Sequence, residues 1–163
     1  MTRRRQLAVI GKGAADEELA QVAEEVGRRL AEANAIVVCG GLGGVMEAAA
    51  RGAHGAGGEV IGVLPGEDPG EANPHVTHVV ATGIGHARNL AVVASADAVI
   101  AIGGEWGTLA VMAFARRLGR PVVAFRSWRV GGEGTMAEGP GIEVASSATE
   151  AAERALALAG DYD

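Results

Sequence analysis

Short runs of apolar residues, each of strand length, alternate with helical patterns along almost the whole chain. The runs are continuous rather than interrupted at every second residue, which is typical of parallel strands that are covered on both faces. They span residues 7–10, 36–38, 60–64, 78–80, 98–102, 121–125 and 142–144. This alternation predicts an α/β fold, namely an open, doubly wound, mainly parallel sheet of about seven strands with helices on both faces, in three α/β/α layers.

The helical patterns between the runs have the spacing of helices that pack on a sheet. In the first helix the apolar residues share one face and the charged residues lie opposite. That apolar face consists of Leu19, Val22, Val26, Leu30 and Ala33. The last helix is predicted to begin with a capping box formed by Ser147 and Glu150 and to end at Gly160.

Two further helical segments, residues 90–94 and 109–115, consist of apolar residues only. A helix that is apolar on all sides needs cover on all sides, and a sheet supplies only one of them. A second subunit is the simplest source of the remaining cover, so we expect a homodimer or homotetramer. The alternative is that other elements of the same chain cover these helices.

Length and composition limit the possible classes of protein. The 163 residues are 48% hydrophobic and 21% charged, which fits a single domain over residues 1–163, with residues 131–141 as a flexible excursion. A net charge of -6 argues against nucleic-acid binding. Arg3, Arg4 and Arg5 are interpreted as a solvated tail. No apolar run approaches the ~20 residues that a membrane span needs, so no membrane partner and a cytoplasmic location are expected.

Three of the strands are followed by glycines and then by a helix, an arrangement that suits phosphate binding at helix N-termini. The first loop, around Lys12, leads into the acidic residues Asp16, Glu17 and Glu18, so a structural turn is favoured there. The second loop contains four glycines in five residues, which favours close approach of the backbone to a ligand. These glycines are Gly40, Gly41, Gly43 and Gly44.

The third glycine loop offers the best anion site in the chain. Thr108 is predicted to be the N-cap of a helix with no acidic residue in its first turn, which leaves the positive end of the helix available. The loop residues are Gly103, Gly104, Glu105, Trp106, Gly107 and Thr108. Glu105 would either point away from a phosphate or bind ribose hydroxyls, and the sequence leaves both roles open.

Arg88 and Asn89 lie at the start of another predicted helix. A cation in the first turn opposes the helix dipole, so Arg88 needs an opposite charge nearby. A ligand phosphate would supply it, and the alternative is a salt bridge to Glu47, Glu105 or Asp97. The four histidines and the single cysteine, Cys39, have no metal-ligand spacing, so no metal site is expected, and Cys39 is interpreted as a core residue.

Four segments in order resemble one superfamily. They are residues 40–48, residues 60–65, Ala87-Arg88-Asn89 and residues 96–109. The superfamily contains the LOG-type cytokinin-activating phosphoribohydrolases, proteins once labelled lysine decarboxylases, and the molybdenum-cofactor carrier proteins, and the chain is most similar to the carrier branch. The resemblance implies a Rossmann-like fold, dimers or tetramers, and a ligand of the size of a nucleotide or pterin phosphate held by the glycine loops.

The resemblance also bears on catalysis. In the hydrolase branch an arginine, matched here by Arg88, and a glutamate support cleavage of an N-glycosidic bond, but Val111 stands where the glutamate is expected. Valine cannot stabilise oxocarbenium character or position water. We therefore expect a non-catalytic binding protein for a phosphorylated nucleotide-like ligand, such as a molybdopterin-type cofactor or a nucleoside monophosphate.

Two alternatives remain open at this point. One is a nucleoside 5'-monophosphate phosphoribohydrolase in which Glu47 or Glu105 replaces the missing acid. The other is a structural or partner-binding subunit with a vestigial cleft. The expected ligand-binding residues, with no catalytic residue among them, are Gly40, Gly41, Gly43, Gly44, Arg88, Asn89, Gly103, Gly104, Glu105, Gly107 and Thr108.

Overall fold

The computed structural model describes residues 3–130 and 142–160, in which strands and helices alternate. The strands are β1 (Gln6–Gly11), β2 (Ile36–Cys39), β3 (Val60–Leu64), β4 (His78–Ala81), β5 (Ala98–Ile102), β6 (Val122–Phe125) and β7 (Ile142–Val144). The helices are α1 (Glu17–Glu32), α2 (Val45–Gly55), α3 (Arg88–Ala94), α4 (Trp106–Arg117) and α5 (Ala148–Ala159), with short 3-10 turns at Pro69–Glu71 and Gly85–Ala87. The excursion expected at residues 131–141 lies outside the described residues.

The seven strands form one sheet in the order β4-β3-β2-β1-β5-β6-β7, and every neighbouring pair is parallel. Each apolar run of the sequence forms one of these strands, so the predicted doubly wound, three-layer α/β/α fold is confirmed. The chain first builds the sheet outward from β1 to β4 and then returns to add β5 on the other side of β1. The strand order therefore reverses between β1 and β5, where ligands bind in open parallel sheets.

Alternate residues of the central strands enter two hydrophobic cores, one on each face of the sheet. Leu7 and Val9 of β1 pack with helices α1, α2 and α5. Ala8 and Ile10 pack with α3 and α4 on the opposite face. Both faces of the central strands are covered in this way, which explains why their sequences are continuously apolar. None of the helices within the described ranges has the length and apolar character needed to span a membrane.

The ends of α1 and α5 are fixed by side-chain caps. The carboxylate of Asp16 accepts a hydrogen bond of 2.8 Å from the Leu19 amide at the start of α1. The Ser147 hydroxyl accepts one of 3.1 Å from the Glu150 amide, and α5 ends at Gly160, as the sequence predicted. The Glu150 carboxylate accepts from the amide of Ser146, at 2.6 Å, so the reciprocal half of the capping box is displaced by one residue.

The face of the sheet that carries α3 and α4 is less completely covered. Their inner side chains, such as Val93 and Met112, are fully buried. On the outer side, Leu90, Phe114 and Leu118 are each more than 40% exposed. Strand β4, at the edge of the sheet, is exposed throughout. The expectation that every apolar run is covered on both faces is therefore wrong for β4, because the helices pack over the inner strands and leave the faces of this edge strand exposed.

The arginines at the start of the chain do not form a solvated tail. The Arg3 guanidinium makes an ion pair of 2.7 Å with the buried carboxylate of Asp97, which also accepts the Gln6 amide at 2.8 Å. Arg4 pairs with Glu59 at 2.5 Å. The interpretation as a tail is wrong because these side chains have fixed acceptors on the neighbouring elements of the sheet.

Candidate functional site

A cleft of about 140 Å³ opens at the carboxyl ends of the strands, where the strand order reverses. Its walls come from the end of β1, the loop after β2, the segment between β4 and α3, and the loop and first turns of α4. The lining residues are Val9, Ile10, Gly11, Gly40, Met46, His86, Arg88, Asn89, Val92, Glu105, Gly107, Thr108 and Val111. Residues far apart in the sequence meet here because parallel strands all end at the same edge of the sheet.

Arg88 begins α3 and places a half-buried guanidinium in the cleft. The guanidinium lies directly over Gly40, since a Cβ built at Gly40 would be 2.7 Å from Nη2. Nη1 donates a hydrogen bond to Oδ1 of Asn89. Among the described residues Nε has no hydrogen-bond partner. Gly40 and Asn89 thus hold Arg88 in place, while part of its hydrogen-bonding capacity is unused.

No carboxylate within residues 3–130 and 142–160 forms an ion pair with Arg88. Of the three acids considered from the sequence, Asp97 is bound to Arg3. Neither Glu47 nor Glu105 lies within ion-pair distance of the guanidinium. Burial lowers the pKa of Arg88, an effect opposed by the nearby Cys39. A guanidinium nevertheless stays protonated in proteins, so the cleft contains an uncompensated positive charge.

Helix α4 begins two residues before Thr108, so the prediction that Thr108 is the N-cap is wrong. The N-cap is Glu105, whose extended backbone leads into the helix and whose side chain makes no capping hydrogen bond. Thr108 instead lies in the first turn and is buried, with 4% of its surface exposed. Its hydroxyl oxygen has no partner among the described residues. The first-turn amides also lack intrahelical acceptors, and the turn contains no acidic residue.

Only one glycine of the second loop lines the cleft. Gly40 does so, whereas Gly41 and Gly44 have φ values of +76° and +67°, which favour glycine whatever the ligand. A Cβ at Gly44 would also lie 2.3 Å from the carbonyl oxygen of Lys12. The same carbonyl accepts a hydrogen bond of 2.9 Å from the Val45 amide. The first and second glycine loops therefore support each other through backbone contacts.

In the third loop, too, one glycine lines the cleft and the other glycines do not. Gly107 lines the cleft, and a Cβ there would meet no other atom within 4 Å. Gly103 has a φ of +69° and lies against Leu19, and Gly104 lies against the Trp128 ring. Of the expected site residues, the structure brings together Gly40, Arg88, Asn89, Glu105, Gly107 and Thr108. It does not place Gly41, Gly43, Gly44, Gly103 or Gly104 on the cleft surface.

The apolar part of the cleft was not predicted from the sequence. Val9, Ile10 and Gly11 line it because they end β1, next to the point where the strand order reverses. That position alone could have identified them, since β1 is the first strand and both halves of the sheet start from it. His86, one of the four histidines without metal-ligand spacing, also lines the cleft.

The cleft contains few groups capable of acid-base chemistry. Val111, at the position where the hydrolase branch has glutamate, is buried and forms part of the wall. Glu105 is the one carboxylate among the lining residues. Behind Arg88, the buried Cys39 is a core residue as expected, and burial raises the pKa of its thiol to about 11. Within the described part of the chain no three His, Cys, Asp or Glu residues are grouped so that they could hold a metal ion.

Comparisons with known proteins agree with this architecture. The model of the SLOG cluster4 family matches residues 4–155. An uncharacterized protein of Archaeoglobus fulgidus is 42% identical over 121 residues, which cover 74% of this chain and 80% of that protein. The DNA processing protein A structure from Streptococcus pneumoniae matches with a TM-score of 0.68 and 22% identity, over 90% of this chain and 60% of that one. At this identity the match shows the fold alone.

Two solved structures are similar over nearly the whole chain. The molybdenum cofactor binding protein from Rippkaea orientalis has a TM-score of 0.86 and 30% identity, covering 97% of this chain and 99% of that chain. The molybdenum cofactor carrier protein from Chlamydomonas reinhardtii has a TM-score of 0.85 and 32% identity, covering 96% and 98%. The chain belongs to the SLOG cluster4 family, in the branch of the LOG-like Rossmann superfamily that includes the molybdenum cofactor carrier proteins.

Proposed function

We propose that this protein binds a phosphorylated, nucleotide-like small molecule in the cleft and performs no chemistry on it. The observation that carries the proposal is the pair of buried polar atoms without partners, Nε of Arg88 and Oγ1 of Thr108, on two residues that line the same cleft. Buried polar groups are almost always hydrogen-bonded, so two such exceptions at one site indicate a missing acceptor. A phosphate accepts from a guanidinium, a hydroxyl and helix N-terminal amides alike.

A molybdopterin-type cofactor, carried as cargo, is the ligand that the similar solved structures support. Its phosphate end fits the donors that the cleft provides. The volume of about 140 Å³ is below the roughly 300–1,000 Å³ of pockets that enclose whole ligands. The cleft therefore takes the anionic end of a ligand, and the rest lies across the surrounding loops. A nucleoside monophosphate satisfies the same donors.

The alternative function is hydrolysis of a nucleoside 5'-monophosphate to a free base and ribose 5-phosphate, with water as co-reactant. Glu105 favours this second candidate, because it puts a carboxylate on the cleft surface. The apolar wall at Val111 favours binding alone, because it supplies neither a base nor charge stabilisation. Incubation with AMP and chromatography for adenine distinguishes the two. Free adenine that disappears in Glu105→Gln would establish the hydrolase.

The exposed apolar residues and the net charge of the protein bear on which partners it would bind. A second copy of the chain would cover the exposed outer side of α3 and α4, where Leu90, Phe114 and Leu118 lie, to give a homodimer or homotetramer. The net charge of -6 disfavours a nucleic acid as partner. A single, buried, unpaired cysteine is typical of a reducing compartment and supports a cytoplasmic location.

The proposed function is tested by what the protein retains and what it binds. We expect mass spectrometry of the natively purified protein to find a phosphorylated small molecule, and calorimetry of the stripped protein to show saturable binding of AMP and of ribose 5-phosphate. A structural subunit with a vestigial cleft would retain no such molecule, and neither probe would bind. That combined result would overturn the proposal.

A further inference from the structure

Both tryptophans of the chain lie side by side at the third glycine loop. Trp106 begins α4, Trp128 follows β6, and their ring centroids are 4.9 Å apart with the planes tilted by 34°. Apart from them the sequence contains only two phenylalanines and one tyrosine. Trp106 is 76% exposed, the highest exposure of any large hydrophobic side chain in the described residues.

The loop holds Trp128 firmly behind Trp106. The indole Nε1 of Trp128 donates a hydrogen bond of 2.9 Å to the carbonyl oxygen of Glu105. A Cβ at Gly104 would lie 3.2 Å from the Trp128 ring, so the backbone packs closely on it. Trp128 also packs against the hydrophobic core on the α3 and α4 side of the sheet. Trp106 is therefore supported by Trp128 while most of its surface remains in water.

Exposure of so large an aromatic surface forfeits the stabilisation that its burial would give. The position of Trp106 indicates that a ligand in the cleft could cover this surface, because its two chain neighbours, Glu105 and Gly107, both line the cleft. Trp106 also belongs to the helical turn whose free amides and Thr108 form the anion-binding end. A ligand whose phosphate lies in the cleft would have its remaining part next to Trp106.

We infer that Trp106 is the platform on which the planar ring of the ligand stacks, with Trp128 as its support. This inference rests on the proposed function and adds to it a second recognition element, specific for a fused heteroaromatic ring such as a purine or a pterin. Stacking of a base on an aromatic side chain strengthens binding roughly 5- to 150-fold, which is sufficient to separate ring-bearing ligands from sugar phosphates. The cleft alone would bind both classes through the phosphate.

The two tryptophans allow a direct optical test with GMP and ribose 5-phosphate as probes. In Trp128→Phe the emission comes from Trp106 alone, and we expect GMP to quench it at saturation whereas ribose 5-phosphate leaves it unchanged. In calorimetry, Trp106→Ala should weaken GMP binding about tenfold or more and change ribose 5-phosphate binding less than twofold. Trp106→Phe, which keeps an aromatic face, should restore most of the GMP affinity.

Three results would overturn the inference, and they differ in what else they affect. If the wild-type protein binds neither probe, the proposed function fails with it. If both probes bind and Trp106→Ala leaves GMP affinity unchanged, only the stacking role fails. If Trp106→Ala instead lowers the sedimenting mass with GMP affinity unchanged, the exposed ring belongs to a contact between subunits.

Discussion

The guanidinium of Arg88 covers the α-carbon of Gly40 so closely that a Cβ at position 40 would lie 2.7 Å from Nη2 and 2.8 Å from Cζ. Real Cβ atoms do not approach other atoms to this distance. Gly40 is therefore needed to seat the arginine, whatever contact it also makes with a ligand. The second glycine loop and the start of α3, two features singled out separately in the sequence, form one structural unit.

Gly40→Ala should displace the Arg88 guanidinium and weaken ribose 5-phosphate binding about tenfold or more in calorimetry. The fold should survive, because the other close contact is the flexible side chain of Met46, whose Sδ would be 2.5 Å from the new Cβ. Gly55→Ala in α2 is the matched control, since a Cβ there meets nothing within 4 Å. Wild-type affinity in Gly40→Ala would contradict this account of the site.

Arg88→Ala should weaken binding of phosphorylated probes by about 1–3 kcal/mol, because a charge-assisted hydrogen-bonding partner is lost. Without ligand the variant should unfold at the same or a higher temperature than the wild type, because it no longer buries an uncompensated charge. Calorimetry and thermal unfolding measure the two effects. Arg51→Ala removes an exposed arginine paired with Glu24 on the α1 and α2 surface and should leave binding unchanged. A large loss of stability in ligand-free Arg88→Ala would show that Arg88 is structural.

Thr108→Val removes the unpartnered hydroxyl and preserves the shape of the side chain. We expect unchanged or higher thermal stability, because no existing hydrogen bond is broken. Binding of ribose 5-phosphate should weaken by about 0.5–1.5 kcal/mol in calorimetry. Thr108→Ser keeps the hydroxyl and should retain the affinity. Equal affinities in Thr108→Val and the wild type would remove this hydroxyl from the anion site.

Phe114→Asp tests the expected contact between subunits on the outer side of α3 and α4. A carboxylate in the centre of an apolar interface is desolvated without a partner, so the variant should sediment as a monomer at micromolar concentration. The wild-type protein should sediment as a dimer or tetramer. Val79→Asp on edge strand β4, which lies on the other face of the sheet and is exposed to a similar extent, serves as the control. A monomeric wild type at this concentration would contradict the expectation.

Cys39 should react with thiol reagents only when the protein unfolds. Burial raises the pKa of its thiol from 9.0 to about 11, so almost no thiolate exists at pH 8 and none of it is accessible. The thiol ionises at a lower pH in the unfolded chain than in the folded protein. Its contribution to the free energy of unfolding is therefore fully present below about pH 9 and is lost as the pH rises toward 11. Labelling of the Cys39 thiol, monitored by absorbance, should be slow in buffer and rapid in denaturant. Rapid labelling of the native protein would show that the cleft opens behind Arg88.

Much of the fold could be predicted because its signals are local. Continuous apolar runs identify central parallel strands, and the runs end where the strands end, as at Val60–Leu64 and Ala98–Ile102. The location of the cleft follows from the same pattern, since all strands in a parallel sheet end on one side. The pairing of Arg3 with Asp97 could not be predicted, because it joins residues 94 positions apart.

The role of each glycine was the part of the site that the sequence could not supply. A glycine is required wherever another atom lies over its α-carbon, and the sequence does not reveal which atom that is. For Gly40 it is the Arg88 guanidinium, whereas for Gly44 it is a backbone carbonyl and for Gly103 a leucine side chain. The prediction of an N-cap at Thr108 was also wrong, because the sequence does not reveal where α4 begins. Gly107 is a poor helix former, and yet α4 begins before it, at Trp106.

The reversal of strand order between β1 and β5 separates the parts of the chain that maintain the fold from those that face the cleft. Strand interiors fill the two cores, whereas the polar residues around the opening, such as Arg88 and Glu105, lie in the connections and the first helical turns, outside those cores. Exchange of a few loop side chains can therefore retarget the scaffold to a different guest molecule at small cost in folding. Natural variation and deliberate redesign of specificity should both concentrate on these connections.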